Sequence, residues 1–555
     1  MIGVVVHCSD HPLVREFFEL FKTPWEFYTE GRHYDVLLCA GNLDYDARAA
    51  DVTLLYSSSA LASDVAHQIE STGRHQNSTL TFGEARLPIY GAYLTFQKGR
   101  NPSYLLDEAS GEPALCSYFS EHRSVLRIGY DLFHEIRELL TVGQPIALAG
   151  IPTLELHIAL LRDLIVAAGV PLAEIPAVPQ GYRFIVCLTH DVDHPSIRRH
   201  KWDHTMAGFL CRATFGSLTN FLRGSIPLRD LLTNWAAALC LPFVYLGLAR
   251  DFWQDFVRCY RNLEKELAST YFIIPFRDRP GRKGKGKVPV YRAARYGAHD
   301  VEDSIAEISA AGGEVGLHGI DAWIDSSSGR EEVEMIRQVS GRAEIGSRMH
   351  WLYFDENAPS VLEKAGITYD STIGYGETVG FRAGTAQAYK PLRAEQLLEL
   401  PLHVMDTALF YPAYLGLSLQ SAAKVLDGLA DQAERFGGCL TINWHDRSLA
   451  PERLWYACYQ HLLHDLRARG AWFATGGQAV AWFRKRRSAA FGPAAAVLES
   501  SAHNGTGSSS DDRLPGLQLR THKRQVLPDR SQSPSFVDVP LSPSCVVQMA
   551  HATGE

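Results

Sequence analysis

From residue 181 onward the chain alternates short apolar runs with helical stretches, and this alternation restricts the fold more than any other feature. Candidate strands fall at 183–189, 269–275, 314–318, 344–349, 366–370, 398–402, 438–444 and 471–475. Segments with helical spacing of apolar residues lie between many of them, at 300–311, 358–365, 418–436 and 451–469. Strands that alternate with helices pair in parallel, because each return to the same end needs a crossover about a helix long. Seven or eight such units predict closure into a barrel rather than an open sheet. The fold class is therefore read as α/β, a distorted (β/α) barrel of seven or eight units preceded by a small α/β domain.

A chain of 555 residues is too long for one compact core. Residues 1–179 read as an amino-terminal α/β domain, with strand-like runs at 2–7, 35–40 and 52–56 and connecting helices at 125–140 and 154–168. His7, Cys8 and Asp10 lie together at the end of the first run, and read as a turn rather than a ligand set. Residues 180–489 form the barrel, with a helical insertion near 200–265. Residues 490–555 are rich in Ser, Pro, Gly, Asp and Arg without apolar periodicity, which predicts disorder and no catalytic role.

The net charge of -8 argues against a nucleic-acid partner, and the basic run at 282–287 reads as a solvated loop. The ten cysteines are scattered, several of them (Cys39, Cys187, Cys439) inside apolar runs, and no Cys-x-x-Cys pair occurs. The chain enters a strand pattern directly from Met1, without a basic start or a small-residue cleavage site, so the expected compartment is a reducing cytoplasm. Residues 231–249 carry no charge, but Thr233, Asn234 and Pro242 dilute their apolar character. They read as a buried or membrane-surface helix pair, so membrane-surface contact through 231–249 is an expectation and a full span is not.

Chemistry concentrates first at 184–194, Phe-Ile-Val-Cys-Leu-Thr-His-Asp-Val-Asp-His, an apolar strand that ends in two carboxylates and two imidazoles. Asp191 and Asp193 alternate along an extended backbone and so share a side, where two carboxylates repel unless a cation or an arginine separates them. That points to a metal site, with a helix cap as the alternative. The other strand ends add His318, then Arg348 and His350, then Asp370, then His445 with Asp446. In a parallel barrel all of these open on one mouth.

These residues resemble, in order, the motifs of the polysaccharide deacetylase superfamily (NodB homology, carbohydrate esterase family 4-like), in its cytoplasmic branch with an extra amino-terminal domain. The resemblance runs motif by motif over about 181–483. Thr189-His-Asp-Val-Asp193 is similar to the first motif, which implies Asp191 as general base and Asp193 as metal ligand. Glu314-Val-Gly-Leu-His-Gly319 is similar to the second, with His318 a metal ligand. Arg348-Met-His-Trp351 sits where the family has an arginine that holds the catalytic aspartate, followed by backbone that helps form an oxyanion site. Tyr369-Asp-Ser-Thr372 is similar to the fourth motif, which implies that Asp370 tunes the catalytic histidine, and Leu440-Thr-Ile-Asn-Trp-His-Asp446 to the fifth, with His445 as general acid.

The second motif departs from the family, which has two histidines one helical turn apart where this chain has His318 and Ala322. His350 is the favoured third metal ligand and Asp321 the runner-up; with neither, the protein would be a degenerate relative that only binds glycans. His190 and His194 are expected as wall residues, and Arg382, in the loop 380–385, as a contact for an anionic substrate group. The resemblance implies a NodB-type barrel and a hydrolase of carbon–nitrogen bonds other than peptides. Its expected cofactor is a divalent metal, zinc first, with cobalt, nickel, manganese and iron as alternatives. Its expected substrate is an N-acetylated amino sugar in a glycan or glycoconjugate, with another non-peptide amide as the alternative.

Overall fold

A computed structural model describes residues 1–491, 514–523 and 536–541, apart from 42, 44, 45, 99–102, 121, 122, 284, 285 and 451. The chain divides into two compact units. One comprises Met1–Gly181, Arg382–Leu392 and Trp482–Glu555, and the other Tyr182–Phe381 and Arg393–Ala481. The segments 382–392 and 482–489, read from the sequence as barrel, thus group with the amino-terminal unit. Buried polar groups explain why. Glu155 accepts from Thr385 Oγ1 at 2.5 Å and Gln387 Nε2 at 3.2 Å, and the buried Arg486 donates to the carbonyls of Ile175 and Leu20 at 2.9 Å each.

The first unit holds a six-stranded sheet in the order Trp25–Phe27, Ile2–Val5, Tyr34–Ala40, Ala50–Tyr56, Arg123–Ile128, Leu115–Ser120, parallel except for the last pair. A long antiparallel hairpin, Ser71–Phe82 with Ala85–Phe96, was not foreseen. The helix expected at 125–140 is instead the strand Arg123–Ile128 followed by the helix Leu132–Thr141. Val125 and Ile128 have helical spacing, yet Asp131 sets the start of the helix beyond them by capping the amides of Phe133 and His134. The expected disorder of 490–555 is corrected at Gln518–His522 and Phe536–Pro540. The former pairs antiparallel with both Leu172–Glu174 and the latter. Residues 492–513, 524–535 and 542–555 lie outside the described residues.

The second unit is built on one parallel sheet. Its order is Leu398–Glu399, Tyr369–Asp370, Gly346–Met349, Glu314–Gly319, Ser269–Ile273, Ile185–Val192, Cys439–Asn443, Val404–Met405, with Trp472–Phe473 also parallel on Ile185–Val192. The two outermost strands, Leu398–Glu399 and Val404–Met405, are consecutive in the chain, and residues 400–403 carry it from one end of the sheet to the other without a ladder between them. This is the distorted (β/α) barrel expected, with Val404–Met405 as a strand the periodicity could not show.

Every residue of Ile185–Val192 is buried, as a central parallel strand requires. Parallel pairing turns all carboxyl ends to one side, and the registers Thr189 to Asn443, His318 to Arg348 and Ser347 to Asp370 bring the charged ends level. Between the first two strands in sequence lies the expected helical insertion, with helices His204–Cys211, Ser217–Leu222, Leu228–Tyr245 and Phe256–Glu264. Its core joins Phe209, Ala213, Leu241 and Val244 to Ile197 and Trp253. Among the described residues no helix is long and apolar enough to cross a membrane.

Candidate metal centre

The mouth of the barrel brings together Asp193, His318 and His350, one ligand atom from each lying within 4.8 Å of the others. Asp193 Oδ1 is 3.3 Å from His318 Nε2 and 3.4 Å from His350 Nδ1, and the two nitrogens are 3.0 Å apart. The remaining ring nitrogens fix the tautomers. His318 Nδ1 faces the Arg348 carbonyl at 3.0 Å and His350 Nε2 faces the Arg292 carbonyl at 3.1 Å. A carbonyl can only accept, so both of these nitrogens carry the proton, and when the imidazoles are neutral the nitrogens turned toward Asp193 present lone pairs.

Three acceptors therefore converge with no hydrogen between them, and Asp193 Oδ1 is buried without a hydrogen-bond partner. Such a cluster is unfavourable unless a cation sits in it. Ligand atoms at about 2 Å from a tetrahedral ion lie about 3.3 Å apart, close to the spacings seen here. The residues fit a metal, and the carbonyls behind both imidazoles are the outer partners that orient metal-binding histidines. Burial opposes a charge on Asp193, yet the imidazoles of His350 and His318, in their protonated form, hold its carboxyl well below the usual carboxylate range, a part that a bound cation would take over when both are neutral. Burial also lowers His350, against the pull of Asp193, and so favours its neutral, ligating form.

Backbone strain accompanies His350. Trp351 and Leu352, immediately after it, adopt φ of 62° and 53°, a region that side chains other than glycine disfavour. The buried Arg292 ties this turn down by donating to the His350 carbonyl at 2.7 Å. Asp321, the alternative ligand, instead accepts from the Arg282 amide at 2.6 Å.

Asp191 lies beside the triad, with Oδ2 4.0 Å from His318 Nε2. Arg348 Nη1 donates to its Oδ1 at 3.0 Å and to Thr189 Oγ1 at 2.7 Å. Asn443 donates to Oδ2 at 2.8 Å and accepts from the Asp191 amide at 3.1 Å. Asn443 was missed in the sequence, although it shares a strand face with Thr441 two residues away and precedes His445 by the same interval. The Met349 amide, in the stretch expected to form an oxyanion site, is engaged with Thr372 Oγ1 at 3.0 Å.

His445 closes the far side, its Nε2 3.9 Å from Asp193 Oδ2. The partner expected for it, Asp370, is elsewhere: its carboxylate accepts from Ser347 Oγ at 2.6 Å and Thr372 Oγ1 at 2.9 Å, and burial raises it above its usual range. The residue that grips His445 is Asp406. Its Oδ1 accepts from Nδ1 at 2.6 Å, and its Oδ2 from the His445 amide at 2.7 Å and from Ser448 Oγ. Burial alone would push His445 down, but the Asp406 carboxylate, helped by Asp193 and Asp191, lifts it to about 10.

No family model matches the chain, and no curated protein does. Solved structures similar to it include two proteins named as polysaccharide deacetylases. One is from Mycobacterium smegmatis, with 19% identity, a TM-score of 0.36, and 57% of this chain and 96% of that one covered. The other is from Pseudomonas aeruginosa PAO1, with 18% identity, a TM-score of 0.29, and coverage of 41% and 73%. A family 4 carbohydrate esterase from Streptomyces lividans, in complex with acetate, aligns at 12% identity and a TM-score of 0.24 over 53% and 93% of the two chains.

A cavity of about 800 Å³ opens over these groups, lined by Asp191, Asp193, His318, His350 and His445 among others. His194 also lines it, and its Nδ1 lies 3.1 Å from His200 Nε2, whose own Nδ1 bonds Asp203 at 2.8 Å. His190 points the other way, between the Trp444 carbonyl and Glu264 at 2.7 and 2.9 Å. Arg382 belongs to the other unit and is not among the lining residues; arginines 212, 292, 447 and 453 are.

Proposed function

We propose that the barrel unit is a metal-dependent hydrolase that removes an N-acetyl group from an amino sugar in a glycan or glycoconjugate. The observation that carries this reading is the convergence of three potential ligand atoms, from Asp193, His318 and His350, beside the Asp191 carboxylate and the His445 imidazole at one mouth. Two imidazoles and one carboxylate suit zinc first, with open positions for water and substrate. A divalent ion held there would polarise the acetyl carbonyl and make a water more acidic.

The protein's own groups supply the rest. Asp191 is held by Arg348 and Asn443 so that its carboxylate faces the cavity, and it takes the proton of the attacking water as the new carbon–oxygen bond forms. His445, kept protonated by Asp406, gives a proton to the nitrogen as the carbon–nitrogen bond breaks, leaving acetate and a free amine. Asp370 takes no part in this scheme beyond bracing the neighbouring strands. The nine free cysteines of the described residues suit the cytoplasmic setting that belongs to this reading.

The test is elemental analysis of the purified protein beside Asp193→Ala, with acetate release measured on N-acetylated amino sugars. Near-stoichiometric metal that disappears in the variant together with acetate release supports the enzyme. Absence of metal from both proteins would leave a glycan-binding barrel instead.

A further inference from the structure

The helix Leu228–Tyr245 is apolar on two opposite faces. Leu231, Asn234, Leu241 and Val244 turn inward, the two leucyl and valyl members of the latter pair joining the insertion core. Leu228, Leu232, Trp235, Leu239, Phe243 and Leu246 follow the same helical period on the outer side, and all of them are exposed, Leu239 by 75%. A helix at a water surface puts polar residues there, and one that is apolar all round is covered by something. Phe215 and Leu222, on the preceding turns, extend the exposed apolar surface.

Charge identifies what covers it. Residues 198–250 hold seven Lys and Arg against two Asp, in a chain whose net charge is -8. Lys201, Arg223 and Arg229 are exposed and form no ion pair among the described residues, and Trp202, next to Lys201 in sequence, is 90% exposed. Apolar side chains bordered by cations and an amphipathic aromatic match the boundary of an anionic bilayer. A second copy fits less well, since a twofold contact would set these unpaired cations against their own images.

The same insertion enters the cavity. Arg212 lines it together with Arg447 and Arg453. Arg212 and Arg453 each have a buried Nε without a hydrogen-bond partner, and Arg453 is only 7% exposed. No carboxylate among the described residues forms an ion pair with any of the three. Burial raises Glu452, the carboxyl next to Arg453 in sequence, against the opposing pull of Arg453, Arg212 and Arg447. Guanidinium groups left unpaired in a cavity wall select a planar or tetrahedral oxyanion.

We propose that the insertion docks the protein on an anionic lipid surface and that the amino sugar is presented there on a lipid phosphate, with Arg212, Arg447 and Arg453 binding the phosphate. The substrate half rests on the hydrolase reading above; the docking half does not.

Flotation with phosphatidylcholine vesicles, with and without phosphatidylglycerol, tests docking without any turnover. The protein is expected to float with the anionic vesicles, and Leu239→Ser/Phe243→Ser to lower the bound fraction about tenfold. Its acetate release from a water-soluble N-acetylated sugar should stay at the wild-type level. No flotation, or a dimer in solution that the same variant dissociates, overturns docking in favour of water or a second copy.

For the arginines, calorimetry with inorganic phosphate should show binding about tenfold weaker in both Arg212→Gln and Arg447→Gln. Phosphate binding kept in these variants but lost in Asp193→Ala would place the anion on the metal and overturn the arginine subsite. If acetate release fails on every substrate while flotation persists, the hydrolase reading falls and the docking surface stands.

Discussion

Asp406 and Asp370 are both buried acids near the mouth of the barrel, and only one of them touches His445. The distinction has a measurable consequence. Asp406 keeps His445 protonated up to about 10 against the opposing effect of burial, so this imidazole, the proposed general acid, holds its proton throughout the neutral range and loses it only as the pH rises through that value. Asp406→Asn removes the charge, so the alkaline limb of the pH–rate profile should move down toward neutrality, with kcat falling about a hundredfold at the optimum. Asp370→Asn should leave that limb where it is, because its carboxylate bonds Ser347 and Thr372 instead. A pH–rate profile for each variant decides between them. A downward shift in Asp370→Asn of the same size as in Asp406→Asn would contradict the assignment.

At the scale of elements, much of the barrel was legible because each strand announced itself as an apolar run closed by a charged or aromatic residue. Asp191, Asp193, His318, Arg348, His350 and His445 all stand at such ends. Asp406 does as well, but its strand, Val404–Met405, comes so soon after Leu398–Glu399 that the apolar run read at 398–402 hid it. The partner of His445 went unseen for that reason, and Asp370, at the end of a more visible run, was expected in its place.

The carboxy-terminal strand Gln518–His522 was hidden differently. Its residues carry no apolar alternation, and it is held by His522 on the buried Glu174 at 3.0 Å, with Arg162 Nη2 on the same carboxylate at 2.9 Å. Burial works against the charge on Glu174, but Arg162 and His522 bring it down to about 2. An acid depressed in this way stabilises the fold above its unfolded value of about 4.3, and that contribution is lost as pH falls toward 2. Glu174→Gln should therefore cost about 3 kcal/mol at neutral pH, by urea unfolding, and the difference from wild type should fade below about pH 4. A constant difference across that window would mean that packing, not charge, holds the strand.

The proposed metal would link the mouth of the barrel to the stability of the whole chain. The ligand atoms come from three strand ends far apart in sequence, at residues 193, 318 and 350, so an unfolded chain offers no comparable site. An ion that binds only the folded form stabilises it by about 2.7 kcal/mol when its free concentration is a hundred times the dissociation constant. The ion would also replace the protons that otherwise have to hold the buried Asp193 carboxylate against two imidazoles 3.3 and 3.4 Å away. Chelation should accordingly lower the melting temperature of the wild-type protein, and added zinc should restore it in proportion to the logarithm of its concentration. In Asp193→Ala the melting temperature should respond to neither, because the carboxylate that completes the site is gone. A chelator effect of equal size in the variant would show that the stabilising ion binds somewhere else.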